Sequence, residues 1–262
     1  METENMKKIL YVAVIMVMAV VSAFAQDERL DDFTFDTEPI QRESIPYFAV
    51  AGGAIVGFHF GNYDDLNAQL AKHFPDIDPF EGQLTLWGAQ GFTGTVFVPN
   101  LRIGFFGMSG KKTQTAEVLL DGVSRTQYVD YSIGQSGLTL DYAWVPFKSF
   151  AILPGVSVGR GQLSVETYHT ASGLDWNEFR PTPTNQSNLQ HLENGYWFVK
   201  PELYFEYALT NFLMFRASAA YNMTFGSEWK YNNESDIANM PDTFNANALQ
   251  VQVGLFLGLF NY

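Results

Sequence analysis

The order of short and long connections between predicted strands most constrains the fold. From Tyr47 onward, eight stretches alternate between apolar and polar residues, the period of a β-strand. The three short connections are Pro99–Asn100, Pro146–Ser149 and Thr210–Asn211. The four long connections are Gly61–Gly82, Ser109–Gln127, Ala171–Gly195 and Lys230–Asn245. An even number of strands, with short turns at one end and long loops at the other, is typical of a transmembrane β-barrel.

The sixth predicted strand shows the alternation most clearly. Its apolar face carries Trp197, Val199, Leu203, Phe205 and Tyr207. Its other face carries Lys200, Glu202, Tyr204 and Glu206. A soluble β-sandwich would alternate in the same way, so the period alone does not choose between them. No charged residue interrupts the apolar faces of the last three strands, which favours contact with lipid.

The N-terminal residues have the pattern of a secretory signal peptide. Lys7 and Lys8 precede the apolar run Ile9–Val21, and Ala23-Phe24-Ala25 is an A-x-A cleavage site. We therefore predict a signal peptide over residues 1–25. Residues 26–46 are acidic and poor in apolar side chains, and they predict a flexible periplasmic leader. The barrel is predicted over residues 47–262.

The cleavage site makes Gln26 the expected first residue of the mature protein. N-terminal sequencing of protein from membrane fractions checks this expectation. Recovery of the intact run Ile9–Ala25 would instead identify a membrane anchor, because 17 residues is close to the minimum length of a spanning helix.

Composition narrows the possible partners. The formal net charge is −13, which argues against nucleic acid because no basic surface is available for phosphates. Charged residues make up 16% of the chain, against about 25% in soluble domains. Aromatic residues also make up 16%, as lipid-facing walls with interfacial girdles require. The expected partner is membrane lipid, and the expected state is a monomer.

The pattern resembles that of the small OmpA/OmpX-like outer-membrane barrels of bacteria. The resemblance rests on eight strands from Tyr47, the short turns and a final strand that ends in an aromatic residue, Tyr262. The apolar register of that strand falls on Leu255, Leu257 and Leu259, one residue out of step with Tyr262. The resemblance implies an all-β, eight-stranded antiparallel up-and-down barrel in the outer membrane, with long loops outside the cell. It leaves the function open.

Polar faces that point inward would place six charged residues in the lumen. These are Arg102, Asp141, Lys200, Glu202, Glu206 and Arg216. The interior of an eight-stranded barrel is only wide enough for side chains to fill it, so we expect these charges to pair and close the lumen. A three-residue loop, Thr210–Phe212, keeps both flanking strands in phase and places Glu206 opposite Arg216.

The first long connection contains one short predicted helix. Leu66, Leu70 and Phe74 recur every fourth residue from Asp64 to Phe74, and the first turn is acidic. An isolated helix of this length is marginal, so its apolar face must pack. It could close the mouth over a hollow of small residues that includes Gly53, Gly57 and Gly91. It could also lie on the outer rim, with the glycines serving barrel curvature.

Residues that could carry chemistry are few. The histidines are His59, His73, His169 and His191, and none stands in a recognisable esterase pattern. Asp76, Asp78 and Glu81 lack the order of a calcium loop. We therefore predict no catalytic, cofactor or metal site, and no enzyme. The leading function is structural or surface binding through the long loops. The alternatives are a narrow channel gated by the helix and, third, a lipid A-modifying enzyme.

Overall fold

Eight long antiparallel strands form a closed barrel in the computed structural model, which describes residues 47–120, 123–170 and 189–261. The long strands are β1 (Phe48–Phe60), β2 (Leu84–Gly94), β3 (Leu101–Leu120), β4 (Val123–Tyr142), β6 (Phe150–Thr170), β7 (Gln190–Ala208), β8 (Leu213–Tyr231) and β10 (Ala248–Asn261). Two short strands, β5 (Trp144–Phe147) and β9 (Ser235–Asp236), pair with β6 and β8. The predicted signal peptide and leader lie outside the described residues.

Each long strand pairs with its neighbours in chain order, and pairing of β1 with β10 and of β10 with β8 closes the barrel. The predicted eight-stranded up-and-down topology is confirmed. Asn100 and Ser149 take positive φ angles of 65° and 69° in the first two short turns. In the third turn the Leu209 amide donates to the Leu213 carbonyl over 2.9 Å, as the three-residue loop predicts.

The outer surface of the barrel is apolar between two rings of exposed aromatic side chains. Near the short turns the ring contains Phe48, Trp144, Phe147, Tyr207 and Phe212. Towards the long loops it contains Phe60, Trp87, Trp197 and Phe225. Ten residue steps separate Trp197 from Tyr207 on β7, and at about 3.3 Å per residue and a tilt of about 45° this corresponds to about 23 Å. That height matches a lipid hydrocarbon core, so the barrel is a transmembrane one.

The wall is much taller on one side than on the other. β1, β2 and β10 have 13, 11 and 14 residues, whereas the five other long strands have 19 to 21. The predicted loop Ser109–Gln127 is therefore wrong, because β3 and β4 stay paired from Leu101–Tyr142 to Leu120–Val123. This segment projects beyond the apolar belt, and both faces can be polar there. Pairing between β3 and β4 holds this segment together. Its sequence lacks the apolar–polar alternation by which a strand is predicted.

The predicted helix in the first long connection is present as α1 (Asp64–His73). Asp64 and Asp65 lie in its first turn, and Lys72 and His73 lie in its last, so both ends complement the helix dipole. Across the described residues, no helix has the length and apolar character needed to cross a membrane.

Candidate functional site

The lumen near the short turns is filled by a charged cluster that centres on Glu206. Arg102 donates from Nη1 to Glu206 over 2.8 Å and from Nε to Asp141 over 2.6 Å. Arg216, directly opposite Glu206 on β8, donates from Nε to the same carboxylate over 2.8 Å. The Tyr47 hydroxyl donates to its second oxygen over 2.9 Å. We call these five residues the lumen plug.

Aromatic rings hold the two arginines of the lumen plug in place. The guanidinium of Arg102 lies 4.1 Å from the Phe92 ring centroid, and that of Arg216 lies 4.3 Å from the same ring. Arg216 also lies 4.2 Å from the Phe256 ring. Ring faces attract cations most strongly where water is absent. The arginines are 0% and 3% exposed, so the plug closes this end of the lumen.

A second ion pair lies further along the lumen. Lys200 Nζ is 3.1 Å from Glu202 Oε1, and both side chains are buried. Ser157 donates to the same Glu202 oxygen. The Lys200 amine lies 4.2 Å from the ring centroid of Phe106. The structure thus brings the six predicted lumen charges into two groups, with three cations and three anions in balance.

Beyond the ion pairs, a neutral polar layer crosses the lumen. The Gln250 amide donates to Gln135 and contacts His59 Nδ1, both over 3.0 Å. The Gln135 amide donates to the Tyr196 hydroxyl over 3.2 Å. These contacts join side chains from β1, β4, β7 and β10. No sequence pattern predicts this layer, since single neutral polar residues on a strand carry little signal.

The mouth of the barrel is closed by apolar contacts with the first long connection, residues 61–83, which we call loop one. The Tyr63 ring meets the lumen residue Tyr131 edge to face at 5.1 Å, and the Phe80 ring lies 6.1 Å from Tyr131. Leu66 and Leu70 of α1 are buried in the same apolar cluster. Burial raises the pKa of the Tyr63 hydroxyl, which therefore stays protonated.

Hydrogen bonds fix loop one over the mouth. The Asn67 side chain of α1 clasps the Phe80 backbone, donating to its carbonyl over 2.9 Å and accepting from its amide over 2.8 Å. The Lys112 amine of the tall wall donates to the Glu81 carbonyl. Thr243, in the connection between β9 and β10, donates to Asp65 over 2.6 Å. Loop one is thereby attached to two other parts of the barrel rim.

The predicted glycine hollow is filled by strand side chains. A Cβ at Gly53 would meet Phe256, and one at Gly57 would meet Gln252 and Met108, before any residue of loop one. Gly91 lies on the outer face of β2 beside Phe105, so its predicted inward position is wrong. The inward residues of β2 include Leu84, Leu86, Gln90 and Phe92. Apolar residues occupy both faces of β2, so the sequence pattern does not distinguish its inner face from its outer face.

Two of the four histidines, His59 and His191, make side-chain hydrogen bonds among the described residues. The His191 ring contacts Glu166 over 2.9 Å and Glu193 over 3.2 Å, on the outer face of the tall wall. His59 is buried in the lumen against Gln250. No serine or threonine hydroxyl of the described ranges is hydrogen-bonded to a histidine ring.

These observations define the class of the protein: a small transmembrane β-barrel whose lumen is filled by side chains and whose mouth is covered by a loop. Its architecture is a closed, eight-stranded, antiparallel up-and-down barrel. No protein-family model and no curated protein sequence matches the chain.

Several solved structures share the general shape of the barrel. A major outer membrane protein from Thermus thermophilus is 10% identical, with a TM-score of 0.46, and the match covers 80% of this chain and 99% of that one. Ail, the attachment invasion locus protein of Yersinia pestis, is 7% identical, with a TM-score of 0.40 and coverages of 82% and 99%. CarO from Acinetobacter baumannii is 12% identical, with a TM-score of 0.38 and coverages of 81% and 98%.

Proposed function

We propose that the protein is a monomeric, non-conducting barrel of the bacterial outer membrane that serves a structural or surface-binding role through its long loops. The observation that supports this most directly is the lumen plug. Its two arginines and two carboxylates balance, the arginines lie against aromatic rings, and the Lys200–Glu202 pair adds one cation and one anion further along the lumen. An ion that entered would displace paired charges at a cost of several kcal/mol. The short turns then face the periplasm and the tall wall projects from the cell surface.

Conductance in planar lipid bilayers tests the proposal. We expect the folded protein to insert without measurable single-channel steps, because the lumen plug blocks the narrow interior of an eight-stranded barrel. A shortened chain that begins at Tyr47 is the matched control, since it keeps every residue from the first strand onward. Stable, resolvable steps from the full mature chain would contradict the proposal.

A narrow channel gated by loop one is the second candidate, and one observation favours it. Buried polar atoms near the mouth have no hydrogen-bond partner among the described residues, including His59 Nε2, Tyr131 Oη and Gln250 Oε1. Such atoms are costly to bury unless water or a solute reaches them. A path from the mouth would let water or a solute reach these atoms.

Asn67→Ala separates the two candidates, because it removes both side-chain bonds that hold α1 to Phe80. In a plugged barrel we expect faster amide exchange in α1 with no conductance. The matched control is Asn62→Ala, whose side chain bonds only the adjacent backbone at Asp64. A gated channel would instead conduct once loop one is released.

A further inference from the structure

Cross-strand register shows where the outer surface of the tall wall changes from apolar to polar. On β3, β4, β6 and β7, one outward row is Phe105, Leu138, Val158 and Val199, and it lies within the apolar belt. The next row is Gly107, Ser136, Arg160 and Trp197. The two rows above it are Ser109, Gly134, Gln162 and Gly195, then Lys111, Ser132, Ser164 and Glu193. The change is complete within one row, at the level of the aromatic ring that contains Trp197.

A recess lies directly above this boundary. Three outward glycines, Gly107, Gly134 and Gly195, have no atom within 4 Å of the position where a Cβ would stand. Beside them is a groove of about 360 Å³, whose outward-facing lining is Ser109, Lys111, Ser132, Gly134, Gln162 and Ser164. This volume falls in the range of small-ligand sites. The missing side chains therefore leave an open trough across the strands.

The groove presents groups that recognise sugars and phosphates. Ser132 and Ser164 face each other with their hydroxyl oxygens 2.7 Å apart, and Gln162 supplies an amide. Lys111 is its only charged lining residue; its amine bonds Asp130 over 2.8 Å while the side chain stays 57% exposed. Below the groove, the Arg160 guanidinium lies 4.7 Å from the Trp197 ring centroid. Hydroxyls and an amide suit sugar hydroxyls, and cations suit phosphate oxygens.

The acidic groups of this surface are already engaged. Asp130 is 3% exposed and bonds both Lys111 and Thr113. Glu166 and Glu193 both contact His191. Glu166 lies one row above the groove, and Glu193 ends the row that contains Lys111, Ser132 and Ser164. Lys111 and Arg160 are therefore the outward-facing cations at the two margins of the groove. Arg160 is level with Gly107, four residues along β3 from Lys111, and it lies two strands away on β6. A ligand that meets both must extend across the groove.

We propose that this groove binds the phosphorylated sugar headgroup of a glycolipid in the membrane leaflet on the side of the long loops. The groove opens outward at the level where headgroups lie, and its hydroxyls and amide would contact the sugar. Lys111 and Arg160 would each contact a phosphate from opposite margins. The inference rests on the proposed membrane placement of the barrel, with the tall wall at the cell surface.

Retention of a defined lipid tests the proposal. The mature chain is folded into phosphatidylcholine nanodiscs that contain a small fraction of diphosphorylated lipid A, extracted in mild detergent and weighed by native mass spectrometry. Lipid A is present in both leaflets, so the result does not depend on barrel orientation. We expect wild type to retain lipid A and Gly134→Phe to lose at least tenfold of it by filling the groove. Gly52→Phe is the matched control, because Gly52 is an outward glycine with space on β1.

Two further comparisons make the result decisive. Gln162→Leu removes the groove amide without adding bulk, and we expect reduced retention even if Gly134→Phe does not fold. Discs with phosphatidylglycerol at equal phosphate content test for attraction to phosphate alone. Wild-type retention by Gln162→Leu, or equal retention of phosphatidylglycerol, would overturn the proposal. Circular dichroism confirms that each variant is folded, and conductance of the same samples tests the plugged lumen separately.

Discussion

Replacement of Glu206 by alanine is expected to destabilise the barrel by about 3–5 kcal/mol, the cost of leaving a buried charge without its partner. Glu206 is 0% exposed and is the shared acceptor of Arg102 and Arg216. Its removal leaves Arg216 with no carboxylate and Arg102 with Asp141 alone. Urea unfolding in lipid vesicles, followed by tryptophan fluorescence, measures the loss.

A double-mutant cycle shows whether the loss comes from this pairing. Arg216→Ala alone leaves Glu206 with Arg102 as its only cation, and the double variant removes both members of the pair. We expect the double variant to be clearly more stable than the sum of the two single losses predicts. Glu228→Ala, on an exposed part of β8, is the matched control and should unfold like wild type. Additive losses would show that the two side chains act independently.

Gly88→Ala is expected to destabilise the barrel by about 1–3 kcal/mol, or to prevent closure, because a Cβ there has no room. That atom would overlap the Gly107 carbonyl oxygen and lie 2.7 Å from Met108 Cα. Both are backbone atoms of β3, so only a shift of the β2–β3 pair could relieve the overlap. Urea midpoints and the yield of folded barrel report the effect.

The facing strand supplies the matched control for this substitution. Gly107→Ala adds the same methyl group one residue from the Gly88 partner Met108, but its Cβ would have no atom within 4 Å. We expect it to be neutral or slightly stabilising, since alanine restricts the unfolded chain. Equal losses from both substitutions would mean that flexibility, and not close approach, explains glycine at position 88.

The sequence predicted those parts of the fold where one face meets lipid and the other meets the lumen. β7 and β8 alternate cleanly between apolar and polar residues, so the inward face of each strand could be predicted. Because the inward positions are even-numbered on both strands, the pairing of Glu206 with Arg216 could be predicted as well. Above the apolar belt, strands need not alternate between apolar and polar residues, because both of their faces meet water. The paired run of β3 from Lys111 to Leu120 therefore had the appearance of a loop.

The candidate site was predictable only in its charged half. Arg102 and Asp141 are conspicuous on strands that otherwise face lipid, and they pair across β3 and β4. The neutral layer of Gln135, Gln250 and His59 depends on side chains from distant strands. These side chains meet only when the barrel closes, so no local sequence pattern predicts the layer. The Asn67 clasp on Phe80 lies within loop one, but it joins residues 13 positions apart that no periodic pattern connects.

The unequal wall heights have a consequence for the order of assembly. The tall β3–β4 hairpin pairs residues that are at most 41 positions apart, Leu101 and Tyr142, and it starts from neighbours three positions apart, Leu120 and Val123. The seam between the short strands β1 and β10 joins residues about two hundred positions apart, such as Phe48 and Asn261. Loop-closure entropy makes such distant pairings form late. The tall hairpins can therefore form first and remain in place while the low side stays open, and the seam that completes the cylinder lies on that low side.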